Sequence, residues 1–203
     1  MKKKTGNETV YTLGEVGGSG VSGSATFTEL ENNTTLITVS LTGTPSGGVH
    51  PMHIHMNSAA ETGDIAISLQ PVDGSTGTSE TLVSMLDDGV SITYTDLLDY
   101  DGYINVHLSE SDLATIVAQG DIGANELTGD TYQYTLDERA VAGISGTATF
   151  AKRKSGATLV TLSLMGTPDG GVHPAHIHNN SYAEGGGIAI PLTDVDGSTG
   201  MSM

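Results

Sequence analysis

The chain of 203 residues and 20.8 kDa carries 24 acidic residues against 7 basic ones, a formal charge of −17. The basic residues are confined to Lys2-Lys3-Lys4, Arg139 and Lys152-Arg153-Lys154, so nucleic acid and anionic membrane surfaces are excluded as partners on electrostatic grounds. Cysteine is absent, which excludes disulfides and thiolate metal sites and leaves histidine, carboxylate and backbone oxygen as the only metal donors.

Lys2-Lys3-Lys4 looks like the start of a signal peptide, but Thr5-Gly6-Asn7-Glu8 follows in place of an apolar segment. No run approaches the roughly 20 apolar residues of a membrane-spanning helix. The expectation is a soluble chain without an export signal, either cytoplasmic or separated from its leader.

Residues 5–80 align without a gap to residues 128–203, with 44 identities in 76 pairs. A tandem duplication of that kind sets two domains, 5–127 and 128–203, the first of ordinary domain size. The second is expected to be incomplete, because the counterpart of residues 81–127 would start past position 203.

Short runs of β-branched and apolar residues between Gly, Asp, Asn and Ser predict strands over 9–13, 22–28, 35–41, 52–56, 65–69, 81–85, 91–95 and 103–108. Asn32-Asn33 fits a hairpin turn. Alternation in Ser24-Ala25-Thr26-Phe27-Thr28 and in Leu36-Ile37-Thr38-Val39-Ser40-Leu41 puts apolar groups on one face and hydroxyls on the other, which predicts an all-β sandwich or barrel with half-buried sheets. One stretch departs from this pattern: Ser109-Glu110-Ser111-Asp112, then Leu113, Ile116 and Val117, then Gly120, predicts a short capped helix.

Six of the seven histidines fall in two near copies of one motif, His50-Pro51-Met52-His53-Ile54-His55 and His173-Pro174-Ala175-His176-Ile177-His178, and the seventh is His107. On a strand, His53 and His55 share a face, about 6.5 to 7 Å apart along the chain, and so can converge on one ion. Pro51 forces an extended or turning path after His50, which could approach the same ion or orient a ligand from behind. His107, at the end of the predicted strand 103–108, would supply a third imidazole, a donor set suited to copper or zinc and poorly suited to calcium or magnesium. The alternatives are surface histidines paired with carboxylates, or a metal-free catalytic histidine.

Other groups are weaker candidates. Glu61, Asn57 and Asp73 recur as Glu184, Asn180 and Asp196, but turn chemistry accounts for them equally well. Met52 and Met56 could serve Cu(I), yet Ala175 and Asn179 replace them in the second copy. Asp99-Tyr100-Asp101-Gly102 resembles part of a calcium loop, with Leu108 where the bidentate glutamate belongs.

Gly23-x-Ala25-x-Phe27, the His50 to His55 motif, and Tyr103-Ile104-Asn105-Val106-His107 followed by Gly120-Asp121-Ile122-Gly123 resemble the CHRD domain, named for chordin. That resemblance spans the first copy and as much of the second as is present, and it implies a secreted or cell-envelope setting. H-x-x-H-x-H, a long interval, then Val-His and Ser-Asp-Leu is more distantly similar to the copper-site order of Cu/Zn superoxide dismutase. This similarity implies a Greek-key, immunoglobulin-like sandwich, with His53, His55 and His107 as copper ligands and His50 behind them. No histidine lies between His55 and His107, so the bridging and zinc ligands of that pattern are missing.

The expectation is one copper ion, or alternatively zinc, in the first domain. His173, His176 and His178 form a weaker half-site in the second. A superoxide dismutase-type redox enzyme and a structural or adhesive module are the competing functions, and exposed strand edges in the incomplete copy would favour self-association.

Overall fold

The structure, a computed structural model, describes residues 3–202. The chain divides into two compact units, Met1–Glu126 and Leu127–Met203.

The first unit contains β1 (Lys4–Glu15), β2 (Ser22–Leu30), β3 (Thr35–Thr42), β4 (Val49–Met56), β5 (Ile65–Asp73), β6 (Thr78–Val83), α1 (Tyr94–Leu98), β7 (Asp101–Ser109) and β8 (Asp112–Gly123). They close an antiparallel barrel in the order β1-β2-β3-β6-β5-β4-β7-β8. The neighbours β3–β6 and β4–β7 are the Greek-key crossovers. Two seams are thin, with Asp73↔Thr78 alone joining β5 to β6 and Gly14↔Gln119 and Glu15↔Ala118 joining β1 to β8. The barrel is thus two four-stranded sheets meeting at corners, the all-β sandwich that the alternation predicts.

Burial alternates residue by residue along β3, β4 and β6, while β7 is buried on both faces from Gly102 to His107. Tyr11 and Leu13 of β1, Phe27 of β2, Ile37 and Val39 of β3, Met52 and Ile54 of β4, and Ile104 and Val106 of β7 fill one core. Tyr11 and Phe27 meet edge to face at 5.0 Å. The predicted turn forms with Asn33 at φ 58°, a left-handed conformation that asparagine tolerates. In Gly23-x-Ala25-x-Phe27 the glycine is required by close approach, because a Cβ there would fall 2.0 Å from the Ser40 carbonyl oxygen. Gly146 repeats this in the second unit, 2.0 Å from the Ser163 oxygen.

Two sequence expectations are corrected. The segment predicted as a helix after His107 is the strand β8, joined to β7 by a two-residue turn at Glu110-Ser111. Asp112 does cap locally, accepting from the Thr115 amide at 3.0 Å, but Thr115, Ile116 and Val117 are β-branched and suited to a strand. Pairing with β7 on one side and β1 on the other outweighs a helical periodicity carried by three residues. Gly120 does not stop a helix, since a Cβ there would meet the Thr12 carbonyl oxygen of β1 at 2.1 Å.

The predicted strand over 91–95 is instead a single bridge, Met85↔Ser91, followed by α1. Thr93 and Asp96 form a capping box in which each side chain satisfies the other's amide. Tyr94 and Leu97 anchor this one turn in the core.

The second unit contains β9 (Leu127–Leu136), β10 (Ser145–Arg153), β11 (Thr158–Met165), β12 (Val172–His173), β13 (His176–His178), β14 (Ile188–Pro191), β15 (Val195–Asp196) and β16 (Met201–Ser202). One sheet runs β12-β15-β16-β11-β10-β9 and a separate pair is β13-β14. Its core is small, with Ala148, Leu162 and Val195 buried. A cleft of about 580 Å³ opens beside them, lined by Tyr134, Phe150, Leu162, His176 and Ile177 among others.

Candidate metal centre

β4 is paired on both sides, to β5 and to β7. Because Met52 and Ile54 point into the core, His53 and His55 must point outward. The same alternation on β7, with Ile104 and Val106 inside, places Tyr103, Asn105 and His107 on that outer face. Register then sets His55 opposite Tyr103 and His53 opposite Asn105.

The structure brings together His53, His55 and His107, one ring nitrogen from each lying within 4.8 Å of the others. Among the described residues no other group of three or more His, Asp or Glu side chains is so gathered. His53 and His55 are half-buried and His107 is buried, so the cluster sits in the sheet surface with one side toward solvent.

Hydrogen bonds fix which nitrogens are available. His107 donates Nδ1–H to the Leu113 carbonyl at 2.7 Å, and His55 donates Nδ1–H to the Gly63 carbonyl at 2.9 Å. Both therefore keep a lone pair on Nε2, and an anchored Nδ1–H is the usual way a ligating imidazole is oriented. His55 Nε2 is buried with no hydrogen-bond partner, so its lone pair is uncommitted within the cluster. His53 Nδ1 lies 3.1 Å from His107 Nε2, a contact in which His53 donates to the lone pair that His107 keeps. Tyr103 stacks on the His55 ring at 5.0 Å and 21°, and its hydroxyl accepts from the Gly63 amide at 3.3 Å.

Burial disfavours the charged form of two of these imidazoles, His53 and His107. The His53 pKa is lowered, first by burial and then by the neighbouring His107 and His55, with Asp87 acting weakly in the opposite sense. His107 is lowered by burial, against the upward pull of its bond to Leu113. Neutral imidazole is the metal-binding form.

His50 stands apart from the three. It is 1% exposed and its Nδ1 donates to the main-chain carbonyl of His107 at 3.3 Å. Of the two roles open to it in the sequence, the geometry displays the one in which it braces β4 against the strand bearing the third histidine. Its Nε2 is buried without a partner.

The second unit reproduces the pair and nothing more. His176 and His178 lie 6.0 Å apart at 83°, against 5.8 Å and 88° for His53 and His55. His178 Nδ1 donates to Gly186 as His55 does to Gly63, and His173 Nε2 is buried and unpartnered like His50 Nε2. Among the described residues no strand pairs with β13 opposite β14, and no third imidazole is gathered with His176 and His178.

The weaker candidates resolve into turns. Glu61 accepts from the Ser58 amide and hydroxyl, and Asp73 accepts from the Ser75 and Thr76 amides. Met52 is buried in the core, and Asp101 accepts from the Asn125 side chain.

Sequence reasoning did not find Tyr103, Asn105, Gly63 or Leu113. Tyr103 and Asn105 were readable, since they precede His107 by four and two residues on one strand. The Gly63 and Leu113 contacts use main-chain oxygens, which carry no signal in side-chain identity.

No family model matches the chain, so the chordin-domain resemblance rests on its motifs alone. No curated protein matches either. Among solved structures, a mutant of Candida albicans superoxide dismutase 5 is similar at 17% identity and a TM-score of 0.38, covering 64% of this chain and 97% of that one. No helix among the described residues is long and apolar enough to cross a membrane.

Proposed function

We propose that the first unit binds one divalent transition-metal ion, copper ahead of zinc, through His53, His55 and His107. The observation that carries this reading is the convergence of three imidazoles, one ring nitrogen of each within 4.8 Å of the others, on a β framework paired on both sides. Two of them have their distal nitrogens already anchored to carbonyls. An all-imidazole donor set suits copper and zinc and disfavours hard cations. The strong negative charge and the chordin-domain resemblance support a cell-envelope or secreted setting.

Isothermal titration of the intact chain with Cu(II) and Zn(II), with metal counted by mass spectrometry, tests this. One tight ion per chain is expected, and a chain that retains neither ion after dialysis overturns the reading.

A second reading is a superoxide dismutase-type redox enzyme. The half-exposed His53 and His55 favour it, because they leave the cluster open on its solvent side. When bound, copper would supply one-electron chemistry there, while the Gly63 and Leu113 carbonyls would orient the His55 and His107 rings that hold it. Superoxide decay over the copper-loaded protein no faster than over the His53→Ala variant would reject it.

A further inference from the structure

One polar side chain beside the histidines has no structural explanation. Asn105 lies on the outer face of β7, opposite His53 on β4 and opposite Gln119 on β8, and two residues before His107. It is only 7% exposed, although it shares the face that carries the metal cluster. Its Oδ1 is fully buried and accepts no hydrogen bond.

An orphaned buried carbonyl oxygen loses its hydration with no hydrogen bond to replace it. Such atoms in folded proteins mark a place where a water, an ion or a ligand belongs. An apolar residue would fill this position on the sheet without that loss. Two of the four same-face neighbours of Asn105, His53 across the ladder and His107 along the strand, belong to the histidine cluster, the others being Gln119 and Tyr103. The amide oxygen is uncharged at all pH values and is a harder donor than imidazole, complementing three nitrogens around copper(II) or zinc.

We propose that the Asn105 carboxamide supplies an oxygen ligand to the ion held by His53, His55 and His107, making a three-nitrogen, one-oxygen site. This rests on the metal-binding reading above. It assigns the position its chemistry, with the oxygen favouring the divalent ion over Cu(I), which prefers softer donors.

The test compares the intact chain with its Asn105→Leu and Asn105→Asp variants by Cu(II) titration calorimetry and electron paramagnetic resonance. Leucine matches asparagine in shape but removes the oxygen. Asn105→Leu is expected to weaken Cu(II) binding about tenfold or more and to change the copper hyperfine splitting, while still taking up one ion. Asn105→Asp retains the oxygen and adds a charge, so it should bind Cu(II) at least as tightly as the parent.

A parent chain that takes up no copper sinks the metal reading and this inference with it. A parent that binds copper, with an Asn105→Leu variant of unchanged affinity and spectrum, sinks this inference alone. Should Asn105→Leu fail to fold, as judged by circular dichroism, Asn105→Asp decides the matter, and weaker binding by that variant overturns the assignment.

Discussion

The two units carry the same histidine pair in nearly the same local geometry and differ in what stands next to it. In the first, β7 flanks β4 from Met52 to Met56, and Ile54 is fully buried at 0% exposure. In the second, β13 has β14 on one side only, and Ile177 is half-buried. The contrast extends inward, with Tyr11 at 1% exposure and its counterpart Tyr134 at 58%. The neighbouring strand β7 supplies His107 and covers the open side of β4, and together with α1 and β8 it seals the core beneath the pair.

Removing that strand's contribution should have the largest effect. His107→Ala is expected to lower first-unit Cu(II) affinity by more than the roughly 100-fold that outer-shell changes can cost, whereas His176→Ala leaves the tight site unchanged. Calorimetry on both variants checks this, and equal losses would break the comparison.

Core sealing gives the next contrast. Ile54→Ala removes a fully buried side chain and should cost about 2–5 kcal/mol. Ile177→Ala, beside the open cleft, should cost less. Amide exchange in β4 and β13, followed against urea, measures each unit separately.

The pH response should follow. Because folded His53 and His107 have lowered pKa values, the unfolded chain binds more protons as pH falls below about 6.5. First-unit stability is thus greatest above that value and declines as pH drops through the depressed folded values. Metal affinity should fall in the same direction. Thermal melts between pH 7.5 and 5 test the sign, and a first unit that becomes more stable on acidification would refute it.

The smallest effect is expected at α1, where Thr93→Ala removes the side chain that caps the turn and should cost ~1 kcal/mol. Chemical denaturation can detect it. The second unit, with no counterpart of α1 among its described elements, should be unaffected.

Much of this architecture was readable in advance. Alternation identified the hairpin of β2 and β3 because one face is apolar and the other hydroxylated, a pattern that only a half-buried sheet produces. The His-x-His spacing required a shared face whatever the rest of the fold. The failures fall where local pattern and long-range pairing compete. The residues from Ser109 to Gly120 satisfy a helix locally, but β8 gains ladders to β7 and β1 that a one-turn periodicity cannot reveal. Thr93 and Asp96 form a true capping box, and the turn they start is too short to leave a periodic signature.

The sequence by itself determined the duplication, the β class, the outward-facing histidine pairs and the lack of thiolate donors, because each follows from residue identity and a two-residue period. Only the tertiary structure decided that His107 joins His53 and His55, that His50 turns to a main-chain carbonyl, and that Asn105, opposite His53, is buried. Those facts depend on which strands lie side by side, and strand pairing across some fifty residues is settled by the packing of the whole barrel.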